Sequence, residues 1–177
     1  MRTLRLTSKD FKEVDGYKEY TGKEDLTNFE GNLEVEANIG WMKFLRIKVS
    51  GYILIEAGNW IKVGDWIEAG GWIEAGNSIE AGDSIKAGNW IKAGDSIEAG
   101  GWIEAGDWIE AVHGGITCGL QLTCKGLLKF NLRLFAGTSP YSWNEIADKT
   151  VTCGKLDGNV VHGDVVETGL PTTVEGK

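Results

Sequence analysis

The chain is poor in the residues on which several chemistries depend. Its 177 residues include two histidines, two methionines, two prolines and three cysteines. The cysteines fall at 118, 124 and 153, an odd count without the spacing of a zinc site or a disulfide framework. A reduced, cytoplasmic setting is the simplest expectation. The first thirteen residues are polar and mixed in charge, so no secretory leader is expected, and no apolar run approaches the ~20 residues of a membrane-spanning helix. Excess positive charge is also lacking. Eighteen basic side chains against 26 acidic ones give a formal net charge of −8, which disfavours direct binding to nucleic-acid phosphates and favours a protein partner with a basic surface.

What is abundant is glycine, 26 residues, together with eight tryptophans. From residue 55 the chain reads IEAGNW, IKVGDW, IEAGGW, IEAGNS, IEAGDS, IKAGNW, IKAGDS, IEAGGW, IEAGDW, with isoleucine every sixth residue to Ile109. A helix would scatter a six-residue period around its surface, and glycine at each repeat would cost about 1 kcal/mol. A strand separates the residues cleanly. In Trp-Ile-Glu-Ala, Ile and Ala share one face and Trp and Glu the other. Burying a carboxylate in every repeat is not tolerable, so Ile and Ala point inward. Glycine with Asn, Asp or a second glycine makes the corner, where positive φ is expected to be cheap.

One strand and one corner per hexad predicts an all-β, three-sided parallel β-helix with 18 residues per coil. After one extra residue within 112–115 the pattern resumes. Ile116, Leu122, Leu128 and Leu134 take the Ile position, and Cys118, Cys124, Phe130 and Ala136 the Ala position. Both cysteines therefore read as buried core residues, unreactive as thiols. Two late hexads are expected from Val160 and Val166. The expected organisation is a β-rich N-terminal cap over 1–50, the solenoid over 51–139, and a loop excursion followed by a closing coil over 140–177.

Residues 1–54 and 112–177 are each charge-neutral, whereas 55–111 carries eleven acidic and three basic side chains. The 18-residue coil predicts outward columns Glu68–Lys86–Glu104, Glu56–Glu74–Lys92–Glu110 and Lys62–Glu80–Glu98. It also stacks Trp72, Trp90 and Trp108 in one column, with Trp66, Ser84, Trp102 and Trp60, Ser78, Ser96 in the others. Two readings compete. The charged columns are stabilising ladders and the tryptophans are covered by the cap or by a second copy. Alternatively, Trp72, Trp90, Trp108, Trp66 and Trp102, flanked by Glu74, Glu110, Glu68 and Glu104, form a face for a partner.

The array resembles the hexapeptide-repeat left-handed β-helix, with the sizes of the two inward residues exchanged. That resemblance favours a left-handed coil, while the general crossover preference favours a right-handed one. It also implies acyl transfer as an alternative, with His113 or His162 as general base and a coenzyme A thioester as substrate. Neither histidine has an identifiable partner. The IEAG hexads, followed by LFAGTSPY at 134–141 and then VTCGKL and VVHGDV, are similar to a group of bacterial and phage proteins with IEAG-type arrays and a like tail. That likeness carries no catalytic residues or cofactor. It implies a phage setting, and by analogy a non-enzymatic, anti-CRISPR-like inhibitor of a nucleic-acid-handling defence system. A structural or assembly solenoid is the alternative.

Overall fold

The computed structural model describes residues 1–139 and 149–171. Its strands stack into three sheets. Sheet A holds β1 (Thr3–Leu6), β4 (Asn32–Val35), β7 (Ile53–Ile55), β10 (Ile73–Ala75), β13 (Ile91–Ala93), β16 (Ile109–Ala111), β19 (Leu127–Phe130) and β22 (Lys155–Asp157). Sheet B holds β2 (Phe11–Val14), β3 (Tyr17–Tyr20), β5 (Gly40–Phe44), β8 (Asn59–Val63), β11 (Ile79–Ala81), β14 (Ile97–Ala99), β17 (Ile116–Cys118), β20 (Leu134–Ala136) and β23 (Val160–His162). Sheet C holds β6 (Ile47–Val49), β9 (Ile67–Ala69), β12 (Ile85–Ala87), β15 (Ile103–Ala105), β18 (Leu122–Cys124), β21 (Thr150–Cys153) and β24 (Asp164–Glu167). Among the described residues every strand pairing is parallel except the β2–β3 hairpin. The protein is therefore an all-β, three-sided β-solenoid.

Register follows the hydrophobic pattern, because a slip of one residue would turn each isoleucine outward. Ile85 pairs with Ile67 on one side and Ile103 on the other, and Ala87 with Ala69 and Ala105. These inward residues are all buried. The extra residue at 112–115 widens the step to Ile97↔Ile116, after which the columns continue. Cys118, Cys124 and Cys153 are all buried and free.

Glycine owes its place in the array to space rather than to φ. Gly82, Gly88, Gly94 and Gly106 are not among the residues with positive φ, contrary to the expectation from corner geometry. A Cβ at Gly88 would instead overlap the Gly70 carbonyl of the adjacent coil, and one at Gly106 the Gly88 carbonyl. Gly88→Ala is thus expected to force neighbouring coils apart and cost about 1–3 kcal/mol, like other overpacking changes, measured by the urea midpoint.

Register at the start of the array differs from the simple hexad reading. Ile53, not Ile55, pairs with Ile73, and Ile55 takes the Ala position opposite Ala75. The following corner is longer and is tied by Asn59, whose side chain is fully buried. Its Oδ1 accepts from the amides of Ile39 (2.7 Å) and Gly40 (3.0 Å), and its Nδ2 donates to the carbonyls of Glu36 (2.7 Å) and Glu56 (3.0 Å). Four otherwise orphaned backbone groups are satisfied by one amide.

The boundary expected near residue 50 does not coincide with a break in the sheets. β4, β5 and β6 already form a coil in register with β7, β8 and β9. Before them, β1 covers sheet A, the β2–β3 hairpin covers sheet B, and Leu6, Leu26 and Phe29 bury themselves on the end of the core. At the other end, most of the expected excursion, 140–148, lies outside the described residues. Thr150 already belongs to β21. The hexad expected to start at Val166 is one residue out of phase, because Val165 pairs with Val151.

A candidate interaction face on sheet C and its two corners

Each tryptophan of the main column stands immediately before a strand of sheet A, at the corner where sheet C ends. Rung spacing brings flat rings to stacking distance. Trp72 and Trp90 lie 4.7 Å apart between centroids, with planes 4° apart, and Trp90 and Trp108 4.7 Å and 5°. Tyr52 extends the stack above Trp72 at 4.4 Å and 1°. Its hydroxyl donates to Glu34 Oε1 at 2.6 Å, which raises the phenol pKa. The hexad reading did not include Tyr52, because the longer corner displaces the phase there. A second pair, Trp41 and Trp60, stacks at 5.0 Å on sheet B.

The rings of the Tyr52–Trp108 stack and Trp60 are half-buried, and Trp41 is exposed. Trp66 and Trp102 occupy the opposite corner of sheet C with Ser84 between them. Ser84 was expected to face solvent, yet it is only 6% exposed. Lys86 Nζ lies 6.0 Å from the Trp102 ring centroid. Between the two aromatic corners runs the column Lys48–Glu68–Lys86–Glu104. The structure therefore brings Trp72, Trp90, Trp108, Trp66, Trp102, Glu68 and Glu104 to the borders and centre of one face. Glu74 and Glu110 lie around the corner on sheet A.

The acidic character of the columns is weaker than their sequence segment suggests. Glu68 pairs with Lys48 at 3.1 Å, Lys86 with Glu104 at 3.2 Å, Lys92 with Glu74 at 3.7 Å and Lys129 with Glu110 at 3.1 Å. Lys62 pairs with Glu80, which raises the lysine pKa. Lys48 and Lys129 come from outside the regular array, so spatial neighbours neutralise what chain order left unbalanced. Glu56 is not in the column with Glu74, because Leu54 holds that position, and it pairs with Arg5 at 3.0 Å instead. Exposed pairs of this kind contribute about 0–1 kcal/mol each. Asp83, Asp95, Asp107 and Glu98 form no ion pair among the described residues. Asp107 directly precedes Trp108 and Asp83 directly precedes Ser84, so uncompensated charge sits at the aromatic corners.

Among the described residues neither histidine forms an ion pair with a carboxylate. His113 is exposed at the corner after β16. His162 was expected in the inward Ala position. It is exposed instead and pairs with Phe135 across a register shift. Its Nδ1 lies 2.5 Å from the Ala136 carbonyl, so this nitrogen carries the donated proton. Among the described residues no group of His, Cys, Asp and Glu could hold a metal ion, and no helix is long and apolar enough to cross a membrane. Burial pushes the Cys118 and Cys124 thiols up to about 12. Both are therefore expected to resist iodoacetamide at pH 8 in the folded protein and to react once it is unfolded. Mass spectrometry of the alkylated protein reads the difference.

The fold and this face define a β-solenoid whose most distinctive surface feature is an aromatic ladder. No protein-family model, curated protein or solved structure matches the chain.

Proposed function

We propose that the protein is a non-catalytic binding protein that occupies a basic surface on a protein partner, as an inhibitor of a nucleic-acid-handling host defence system acting in the cytoplasm. The observation that carries this reading is the four-ring stack Tyr52–Trp72–Trp90–Trp108 with the unpaired carboxylate of Asp107 at its corner. Preorganised rings lose little entropy on contact and supply anchors, while uncompensated acids steer a basic partner toward them. The ion-paired columns that flank the rings join successive coils. The resemblance to IEAG-array phage proteins supplies the defence setting.

The test begins with capture of partners from a host lysate on the immobilised protein. Retention of a nucleic-acid-binding protein supports the reading, and retention of nothing overturns it. Reversal of Asp83 and Asp107 to lysine breaks no ion pair of the ladders. It is expected to slow association and flatten its salt dependence while leaving dissociation nearly unchanged. Replacing His113 and His162 together by glutamine is expected to leave inhibition intact. Loss of effect in a folded double variant, with binding of coenzyme A by the unaltered protein, would favour acyl transfer.

A further inference from the structure

The two ends of the solenoid are finished differently. At the N-terminal end Leu6, Leu26 and Phe29 are buried over the core, and β1 and the β2–β3 hairpin close sheets A and B. At the C-terminal end β22, β23 and β24 are the last strands of their sheets. Among the described residues no strand lies beyond them, and Val161, Val165 and Val166 are 50%, 39% and 48% exposed, with Leu170 at 56%. Val165 stands in the column that is completely buried one coil earlier at Val151. Among the described residues, an apolar core and strand edges met only at the Leu156 amide, which donates to Glu167 Oε2 at 3.4 Å and would have to exchange that partner, together make a template for strand addition.

We propose that this end docks against the same end of a second copy, giving a two-fold dimer with the solenoid axes in line. The choice of occupant follows from the N-terminal end, where the outermost strand of sheet B, β2, runs antiparallel to its neighbour and sheet C ends at β6 with only the Phe29–Val49 bridge beyond it, so a head-to-tail copy would not meet three parallel edges. It follows also from charge. A two-fold axis through sheet A sets β22 antiparallel to its own copy. In the register centred on Leu156, Lys155 stands opposite Asp157 of the second copy, and Asp157 opposite its Lys155. Opposite charges directly across an antiparallel pair attract, and here the symmetry makes the attraction twofold. The same rotation sets Val160 and Val161 of β23 against β24 of the second copy, where Val165 and Val166 lie. The dimer would carry two copies of the aromatic ladder, one on each half.

Light scattering during gel filtration and sedimentation of the full chain test the proposal. A dimer is expected at micromolar concentration. Val165→Glu places a charge in the contact. Lys155→Glu creates two like-charge contacts by symmetry and is expected to weaken association by ~100-fold or more. Asp157→Lys is expected to act similarly, and the Lys155→Glu, Asp157→Lys double variant to restore the dimer by re-forming the pairs with signs exchanged. Circular dichroism confirms folding, and the exposed Lys155 site keeps the test valid should Val165→Glu fail to fold. A monomeric full chain overturns the proposal. So does a dimer indifferent to all these changes, which would place the contact elsewhere, or growth into filaments, which would require the N-terminal end. A double variant that does not recover would overturn the two-fold pairing of β22.

Discussion

Replacing Ile85 by alanine is expected to lower stability by about 2–5 kcal/mol, the range for large-to-small changes in close-packed cores. Ile85 is fully buried, with Ile67 and Ile103 packed above and below it. The site collapses poorly, because each neighbouring strand is locked by its own parallel ladder, so the lost methyl groups leave a cavity as well as lost burial. The cost is felt in two coil interfaces at once, since each coil of a solenoid is stabilised chiefly by its neighbours. Ser84 beside it gives the control. Although Ser84 is buried, Ser84→Ala removes one hydroxyl and no volume from the core, and its effect is expected to stay within about 1 kcal/mol. Urea midpoints for the two variants separate these outcomes. Equal losses would show that the inward column is not the principal source of stability.

The inward columns were legible because period six fits one strand and one corner, and only one assignment of faces keeps carboxylates out of the core. The phase was legible wherever the two inward positions carry residues of different size. It failed at the start of the array, where Ile53 and Ile55 are both isoleucine and nothing in composition says which begins the hexad. Asn59 decides it, by satisfying backbone groups of a longer corner, and that requires the chain folded back on itself. The same shift removed Glu56 from its expected column and hid Tyr52 from the ring stack. Charge was misjudged for a related reason. Counting along the chain assigns Lys48 and Lys129 to neutral flanks, whereas in space each sits on a glutamate of the array. The glycines were found by pattern but explained by the wrong property. Proximity of the preceding coil's carbonyl, not φ, excludes a side chain at Gly88. The burial of Ser84 was invisible for want of any local signal, since it depends on residues 18 positions away on either side.

Trp90→Ser is the change expected to affect binding most, weakening partner association by about 1–4 kcal/mol, chiefly through faster dissociation. Trp90 is the inner ring with tryptophan on both sides, at 4.7 Å from each, so its removal divides the stack into Tyr52–Trp72 and an isolated Trp108. Two stacked contacts are lost, each worth about 0.5–1.5 kcal/mol beyond burial, and the fold itself is expected to lose a comparable amount of stability. The hexad tolerates serine here in kind, as the neighbouring column shows at Ser84, so the variant should still form its coils. Trp108→Ser separates the two effects. It removes only one aromatic contact and so costs less stability, yet it takes away the ring next to Asp107. Binding that falls more for Trp108→Ser than for Trp90→Ser, against the order of their stabilities, would locate the anchor at the Asp107 corner. Losses that simply follow stability in both variants, with association and dissociation otherwise unchanged, would mean that the rings hold the coils together and do not meet a partner. Surface plasmon resonance against the captured partner, with thermal unfolding of the same samples, provides both measurements.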